Sequence, residues 1–212
     1  MRKLLLTTAA VAAAIGLAGC SKKEPITYGT LTDERDGQTY KTVTIGTQTW
    51  MAQNLNYKTP SGSWCYNDSL SYCKKYGRLY SWDAAMTACP AGYHVPSSIS
   101  WKYMRINGGD IKYVANYLKA RSGWNDHCDG DNDRPCISGN GTDDYGFSAL
   151  PGGIRSFDGS FHNIGDKGYW WTATKLRDGF AESRSIGYRD DLYYTANKKS
   201  DVLSVRCVAD RP

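Results

Sequence analysis

The sequence predicts one α+β domain of short antiparallel strands, two to three helices and long loops closed by disulfides. Three observations predict it. Segments of alternating Thr, Val and Ile, punctuated by turn dipeptides, have the period of hairpins. Other stretches carry apolar residues at helical spacing. Six cysteines, at 65, 73, 89, 128, 136 and 207, form an even set with polar, turn-rich sequence between neighbouring pairs. The domain occupies residues 29–212, enough chain to bury a substantial core.

Taken in order, the chain begins with Arg2 and Lys3 and an apolar run from Leu4 to Ala18, too short to span a bilayer comfortably. The run ends in "LAGC", which resembles a bacterial lipoprotein signal. That resemblance implies that residues 1–19 are a signal peptide and that Cys20 becomes the lipidated first residue of the mature chain. Residues 20–28, containing "SKKEPIT", are then a polar tether. Ser21 after the cysteine, in place of an aspartate, points by the same resemblance to the outer membrane. The expected partner is thus the membrane, through the lipid.

The segment "GTLTDERDGQTYKTVTIGTQTWMAQNL" predicts two consecutive hairpins, turning at Asp36-Gly37 and Gly46. A polar loop between Cys65 and Cys73 follows. "WDAAMTAC" predicts a helix with Ser81 as its N-cap and Pro90 and Gly92 as its stop. A second helix starts at Ser97 or Ser98 and carries Trp101 and Met104. A third runs from about Asp110 to Arg121, with Ile111, Val114, Ala115 and Leu118 at helical spacing and Gly123 as its stop. "DGDNDRPCISGNGTDDYGFSALPGG" is too rich in Gly, Asp and Pro for regular structure. "IRSFDGSFHNIG" reads as a hairpin turning at Asp158-Gly159. "YWWTATKL", "ESRSIGYRD" and "LSVRCV" read as the closing strands.

Six cysteines allow fifteen connectivities. Local pairing of Cys65 with Cys73 and of Cys128 with Cys136 is the simplest choice, and it leaves Cys89 and Cys207 for a long-range bridge. No C-x-x-C spacing favours zinc. The chain has 26 basic and 21 acidic side chains. Without Arg2 and Lys3 the formal charge is +3, with no basic run, which argues against nucleic acid as a partner.

Several motifs carry a family resemblance. "IGTQTWMAQNLNY", "SWDAAMTACPAGYHVPSSISWKYM", "GTDDYGFSALPGG", "GYWWTAT" and "SVRCV" fall in the order found in the Fibrobacter succinogenes major paralogous domain, a family of bacterial surface lipoprotein domains. The likeness covers roughly residues 29 to 209. That family resembles the C-type-lectin-like fold and, more loosely, the formylglycine-generating-enzyme fold. In those folds a helix ending in cysteine leads to a segment matched here by Gly92, His94, Val95, Pro96, Ser97 and Trp101. The cysteine of the last strand, here Cys207, bridges back to that helix at Cys89. The resemblance implies surface adhesion or polysaccharide contact and no particular reaction.

The candidate sites follow from residue chemistry. "WND" at 124–126 is the calcium-binding triplet of sugar-binding C-type lectins, but it lies far ahead of Cys207 and lacks the partner motif, so the match reads as coincidence. Asp129, Asp131 and Asp133 alternate as a tight loop needs to aim several oxygens at calcium. Asp143 and Asp144 would complete the shell, although the EF-hand pattern is unfinished. Calcium is therefore the one cofactor to consider, beside the plainer reading of an acidic turn closed by Cys128–Cys136. Of the histidines, His94 sits in a structural motif, His127 in a loop and His162 in a hairpin. With every cysteine after Cys20 paired there is no free thiol, and no G-x-S-x-G, P-loop or H-E-x-x-H is present. The expectation is a non-catalytic domain, with a structural envelope protein or a formylglycine-generating-like enzyme as alternatives.

The aromatic composition is the stronger functional signal: 16 Tyr and 7 Trp against 4 Phe. Tyr and Trp combine a flat apolar face with a polar edge, which suits sugar rings. Trp50, Trp82, Trp101 and one of Trp170 and Trp171 are assigned to the core. Strand alternation puts Trp170 and Trp171 on opposite faces, leaving Trp171 for ligand. Tyr145, Tyr188, Tyr193 and Tyr194, with Arg155, Arg189, Asp190 and Asp191, fall in loop-rich segments and complete the predicted patch. A polysaccharide or an envelope protein would be its partner.

Overall fold

The computed structural model describes residues 25–107, 113–128, 130, 134–188 and 192–210. The chain runs β1 (Gly29–Thr32), β2 (Thr39–Ile45), β3 (Gln48–Met51), β4 (Ser63–Trp64), α1 (Leu70–Tyr76), β5 (Leu79–Ser81), α2 (Trp82–Ala85), β6 (Tyr93–His94), α3 (Ser98–Asn107) and α4 (Val114–Leu118). It continues with β7 (Gly152–Arg155), β8 (Phe161–Ile164), β9 (Gly168–Lys175), β10 (Phe180–Ile186), β11 (Leu192–Lys198), β12 (Val202–Ser204) and β13 (Val208–Ala209). The result is β-rich, with short helices and three disulfides.

Two sheets organise these strands. The smaller has the order β1-β2-β3-β13-β6, so the N-terminal meander is completed by the last strand. The larger runs β11-β10-β9-β7-β12-β5-β4, with β8 on β7. The two predicted N-terminal hairpins are present. Asp36-Gly37 turns the first, with Gly37 at φ +73° and its N–H donating to Asp33 O at 2.8 Å. Such a positive φ costs a glycine little. The β7–β8 hairpin turns at Asp158-Gly159 as expected.

The helices are shorter than their sequence patterns. Ser81 precedes α2 in extended backbone but makes no side-chain cap bond, and α2 has only four residues before irregular turns lead to Pro90. Ser97 caps α3: its Oγ accepts from Ser100 N at 3.2 Å. The predicted third helix reduces, among the described residues, to α4. It ends at Lys119, which turns extended (ψ 137°) and forms a bridge with Ala149. The Cys65–Cys73 loop holds a helix the sequence reading missed. In α1, Tyr72 and Tyr76 stack at i,i+4 with ring centroids 6.1 Å apart.

All three predicted disulfides are present, joining Cys65–Cys73, Cys89–Cys207 and Cys128–Cys136 with Cα separations of 5.0, 5.9 and 4.4 Å. Cys207 is fully buried, whereas Cys128 and Cys136 are exposed.

The large sheet separates two apolar clusters. One gathers Ile45, Trp50, Trp101, Leu118, Phe147 and Trp170, and the other Tyr40, Leu55, Tyr80, Trp82, Trp171 and Val205. The expectation that Trp171 faces a ligand is therefore wrong. Trp170 and Trp171 do point to opposite faces, but both are fully buried because β9 has protein on each side. Their indoles are satisfied: Trp171 Nε1 donates to Tyr80 O at 2.7 Å and Trp170 Nε1 to Asn54 Oδ1 at 2.9 Å.

Asn54 Oδ1 also accepts from the Arg206 guanidinium, at 3.0 Å from Nε and 2.7 Å from Nη2. Asn54 Nδ2 donates to Tyr76 O at 2.8 Å. Arg206 has no exposed surface and donates further to Phe147 O and Ser148 O. Burial pulls its pKa down to about 9, partly resisted by Asp143, so the guanidinium stays charged at neutral pH. A buried charge needs such a set of acceptors.

Candidate functional site

The edge of the large sheet carries the most suggestive surface. In the β10–β11 pair, Tyr193 lies opposite Ser185 and Thr195 opposite Ser183. The two-residue period therefore puts two serines, Thr195 and Tyr193 on one face. Ser185 Oγ and Thr195 Oγ1 are 3.2 Å apart, and Ser183 Oγ donates to Asn197 Oδ1 at 2.8 Å. Beyond this hydroxyl row, Tyr188 and Tyr193 flank an open cleft of about 410 Å³, with Lys167, Ser185, Gly187 and Thr195 completing its lining. Tyr188 is 44 % exposed and Tyr193 41 %.

His127 stacks on Tyr188, with ring centroids 4.0 Å apart and planes 11° from parallel. His127 N and O both bond Ile137, closing the neck of the loop that Cys128–Cys136 staples. The acidic loop therefore springs from the rim of the tyrosine cleft. Its carboxylates Asp129, Asp131 and Asp133 lie outside the described residues, as do Arg189, Asp190, Asp191 and the lipidation position Cys20.

The rest of the predicted patch is dispersed. Tyr194 alternates to the opposite face of β11, 5.7 Å from the Arg184 guanidinium. There Arg184 Nη2 lies 2.5 Å from Glu182 Oε1. Burial raises the Glu182 carboxyl, and Arg184 opposes that rise. Arg155 sits over Trp64 and Phe161, at 4.9 and 5.7 Å, and lines no part of the cleft. Tyr145 packs against the first core cluster, edge-on to Tyr117. The placement of Tyr193 and Tyr194 in a loop is also corrected, since both belong to β11.

The calcium candidates separate likewise. Asp143 is buried, and its two carboxylate oxygens accept from Ser148 N at 2.7 Å and Ser148 Oγ at 2.5 Å, which fixes the turn beneath Arg206. Asp144 is half-buried beside it. Among the described residues no three His, Cys, Asp or Glu side chains are grouped to hold a metal. Trp124 of the "WND" triplet is buried, its Nε1 donating to Ala149 O at 3.0 Å, and Asn125 Nδ2 donates to Asp166 at 3.0 Å.

Lys167, Ser185 and Thr195 were not anticipated. Alternation of Ser183, Ser185 and of Tyr193, Thr195 along two strands was the signal that would have grouped Ser185 and Thr195, whereas Lys167 enters from the turn between β8 and β9.

A β-rich, disulfide-closed domain with an open aromatic cleft on its sheet edge is the class these features define. The Fibrobacter succinogenes major domain matches residues 43–209, most of the chain, and the protein belongs to that family of bacterial surface-related domains. No curated protein and no solved structure matches the chain. Among the described residues no helix is long and apolar enough to cross a membrane.

Proposed function

We infer that the protein is a non-catalytic surface lipoprotein whose domain binds neutral polysaccharide at the Tyr188–Tyr193 cleft. The observation that carries this reading is the pair of half-exposed tyrosines beside a row of hydroxyls. Aromatic faces stack on the C–H face of a sugar ring, and Ser185, Thr195 and Lys167 supply hydrogen bonds at its edge. His127 holds the Tyr188 ring flat, which lowers the entropy cost of presenting it. Lipidation at Cys20, with residues 20–28 as tether, would hold the domain at the outer membrane. A C-type-lectin-like relationship is supported by the Cys89–Cys207 bridge, which joins the turns after α2 to the residue just before β13.

A second reading makes binding calcium-dependent, because the Asp129, Asp131 and Asp133 loop starts at the cleft's rim. The test is retention of the full chain, in neutral detergent, by cellulose and xylan, with calcium and with EDTA. Stacking predicts retention indifferent to EDTA and lost in Tyr193→Ala. Loss in EDTA would move the site to the acidic loop. No retention in either buffer would overturn the polysaccharide reading.

A further inference from the structure

A second surface, remote in sequence from the tyrosine cleft, has a different chemistry. Two adjoining clefts of about 300 and 420 Å³ share Gln38, Asn56, Cys73 and Lys74 in their walls, forming one groove between β2 and α1. Its ionic side chains are Lys41, Lys58, Lys74, Lys75, Arg78 and a single carboxylate, Asp36. Five cations to one anion is a concentration the chain as a whole, at 26 to 21, does not have. All four lysines are exposed, so their charge is presented rather than neutralised in the fold.

Between the cations the groove is lined by side-chain amides. Asn56 Nδ2 donates to Gln38 Oε1 at 3.0 Å, and Gln53 Oε1 accepts from Lys41 N at 2.7 Å. These contacts fix amide groups along the floor, where they can meet hydroxyls. The wall is stapled: Cys73 of α1 is bridged to Cys65, and Lys74 and Lys75 follow it directly. The lysines are therefore held at a set place on the wall.

We propose that this groove binds an acidic polysaccharide, one whose sugar units carry carboxylates. Two adjoining clefts with shared walls fit successive units of a chain better than a flat bilayer. Ammonium groups, as hydrated point charges, suit a repeating anion without fixed geometry. The amides address the sugar hydroxyls, and the cation cluster raises the local concentration of the polyanion. The proposal stands on residues separate from the tyrosine cleft, so either site can fail alone.

The test is binding of the full chain, in neutral detergent, to polygalacturonate at low and high salt. Wild type is expected to bind at low salt and to weaken as salt screens the exposed charges. Lys74→Glu/Lys75→Glu is expected to weaken binding about tenfold or more, and Lys74→Gln/Lys75→Gln by less. The control Lys102→Glu/Lys175→Glu makes the same change of net charge away from the groove and should stay close to wild type. Unaltered melting of each variant excludes misfolding as the cause. Absence of wild-type binding at low salt overturns the proposal, as does equal loss in the control pair. Charge-sensitive binding to phosphatidylglycerol vesicles with none to polygalacturonate also overturns it, making the groove a membrane-facing surface.

Discussion

Trp170-Trp171 at the centre of the large sheet and Tyr193-Tyr194 at its edge are both adjacent aromatic pairs on a strand, and both alternate between faces. The tryptophans are fully buried, each in its own apolar cluster, while the tyrosines are 41 % and 56 % exposed. The pleat decides which face a side chain takes. The strand's place in the sheet decides whether that face is covered. Centre and rim differ in their disulfides too: Cys89–Cys207 enters the core, and Cys128–Cys136 closes an exposed loop.

The largest single loss is expected at the longer of those two bridges. Cys89–Cys207 spans 118 residues and Cys128–Cys136 only 8. On the chain-entropy account their removal costs about 5 and about 2.5 kcal/mol. Denaturant unfolding of the two Cys→Ser pairs measures this, and equal costs would erase the distinction. Next come the aromatics themselves. Trp171→Ala should cost about 3–5 kcal/mol, since it opens a cavity and removes the indole's hydrogen bond to Tyr80 O. Tyr193→Ala should stay within about 0.5 kcal/mol. A mild effect at Trp171 would show that the centre is looser than its burial implies.

Alkali should act on the centre through its buried phenols. Burial pushes Tyr40 up to about 12 and Tyr80 well above the ordinary phenol value, with Tyr169 raised as well. In the unfolded chain these groups ionise near the ordinary phenol value of 10. Between those limits the native state binds more protons, so stability falls as pH rises from about 10 to about 12. One such group contributes up to about 1.4 kcal/mol per pH unit. Arg206, lowered to about 9, works in the opposite direction by one proton and leaves the net fall in place. Urea midpoints from pH 8 to 11 will show the decline, and Tyr40→Phe should reduce it. The smallest effect on stability belongs to the rim: Tyr193→Ala and Tyr194→Ala should melt alike, while only Tyr193→Ala loses polysaccharide retention.

The sequence was most legible where a residue type has one physical use. Asp36-Gly37 and Asp158-Gly159 marked their turns because few residues other than glycine tolerate the backbone there. Cysteine spacing suggested all three bridges, and Ser97 marked the start of α3. Burial was legible only where tertiary position did not matter. Trp171 was misassigned because a strand's own sequence does not say what covers each of its faces. β11 was read as loop because "YYTANK" lacks the Val and Ile that mark strands, being an edge with one open side. α1 was hidden by its brevity. Of the candidate site, Tyr188 and Tyr193 were found by composition. Lys167, Ser185 and Thr195 join them only through the β10–β11 register and the turn after β8.

Asn54 receives Trp170 from 116 residues away and Arg206 from 152. These partners stand far apart in the order in which the chain is made. The meander β1–β3 must therefore wait, its inner edge unpaired, until β13 emerges to complete the sheet. So long a wait belongs to slow, topology-limited folding, in which loop closure is met before contacts repay it. An exposed strand edge in that interval invites association with other chains. Completion of the fold thus depends on when β13 arrives, and the buried Arg206 just before it is the piece that locks the early part of the fold.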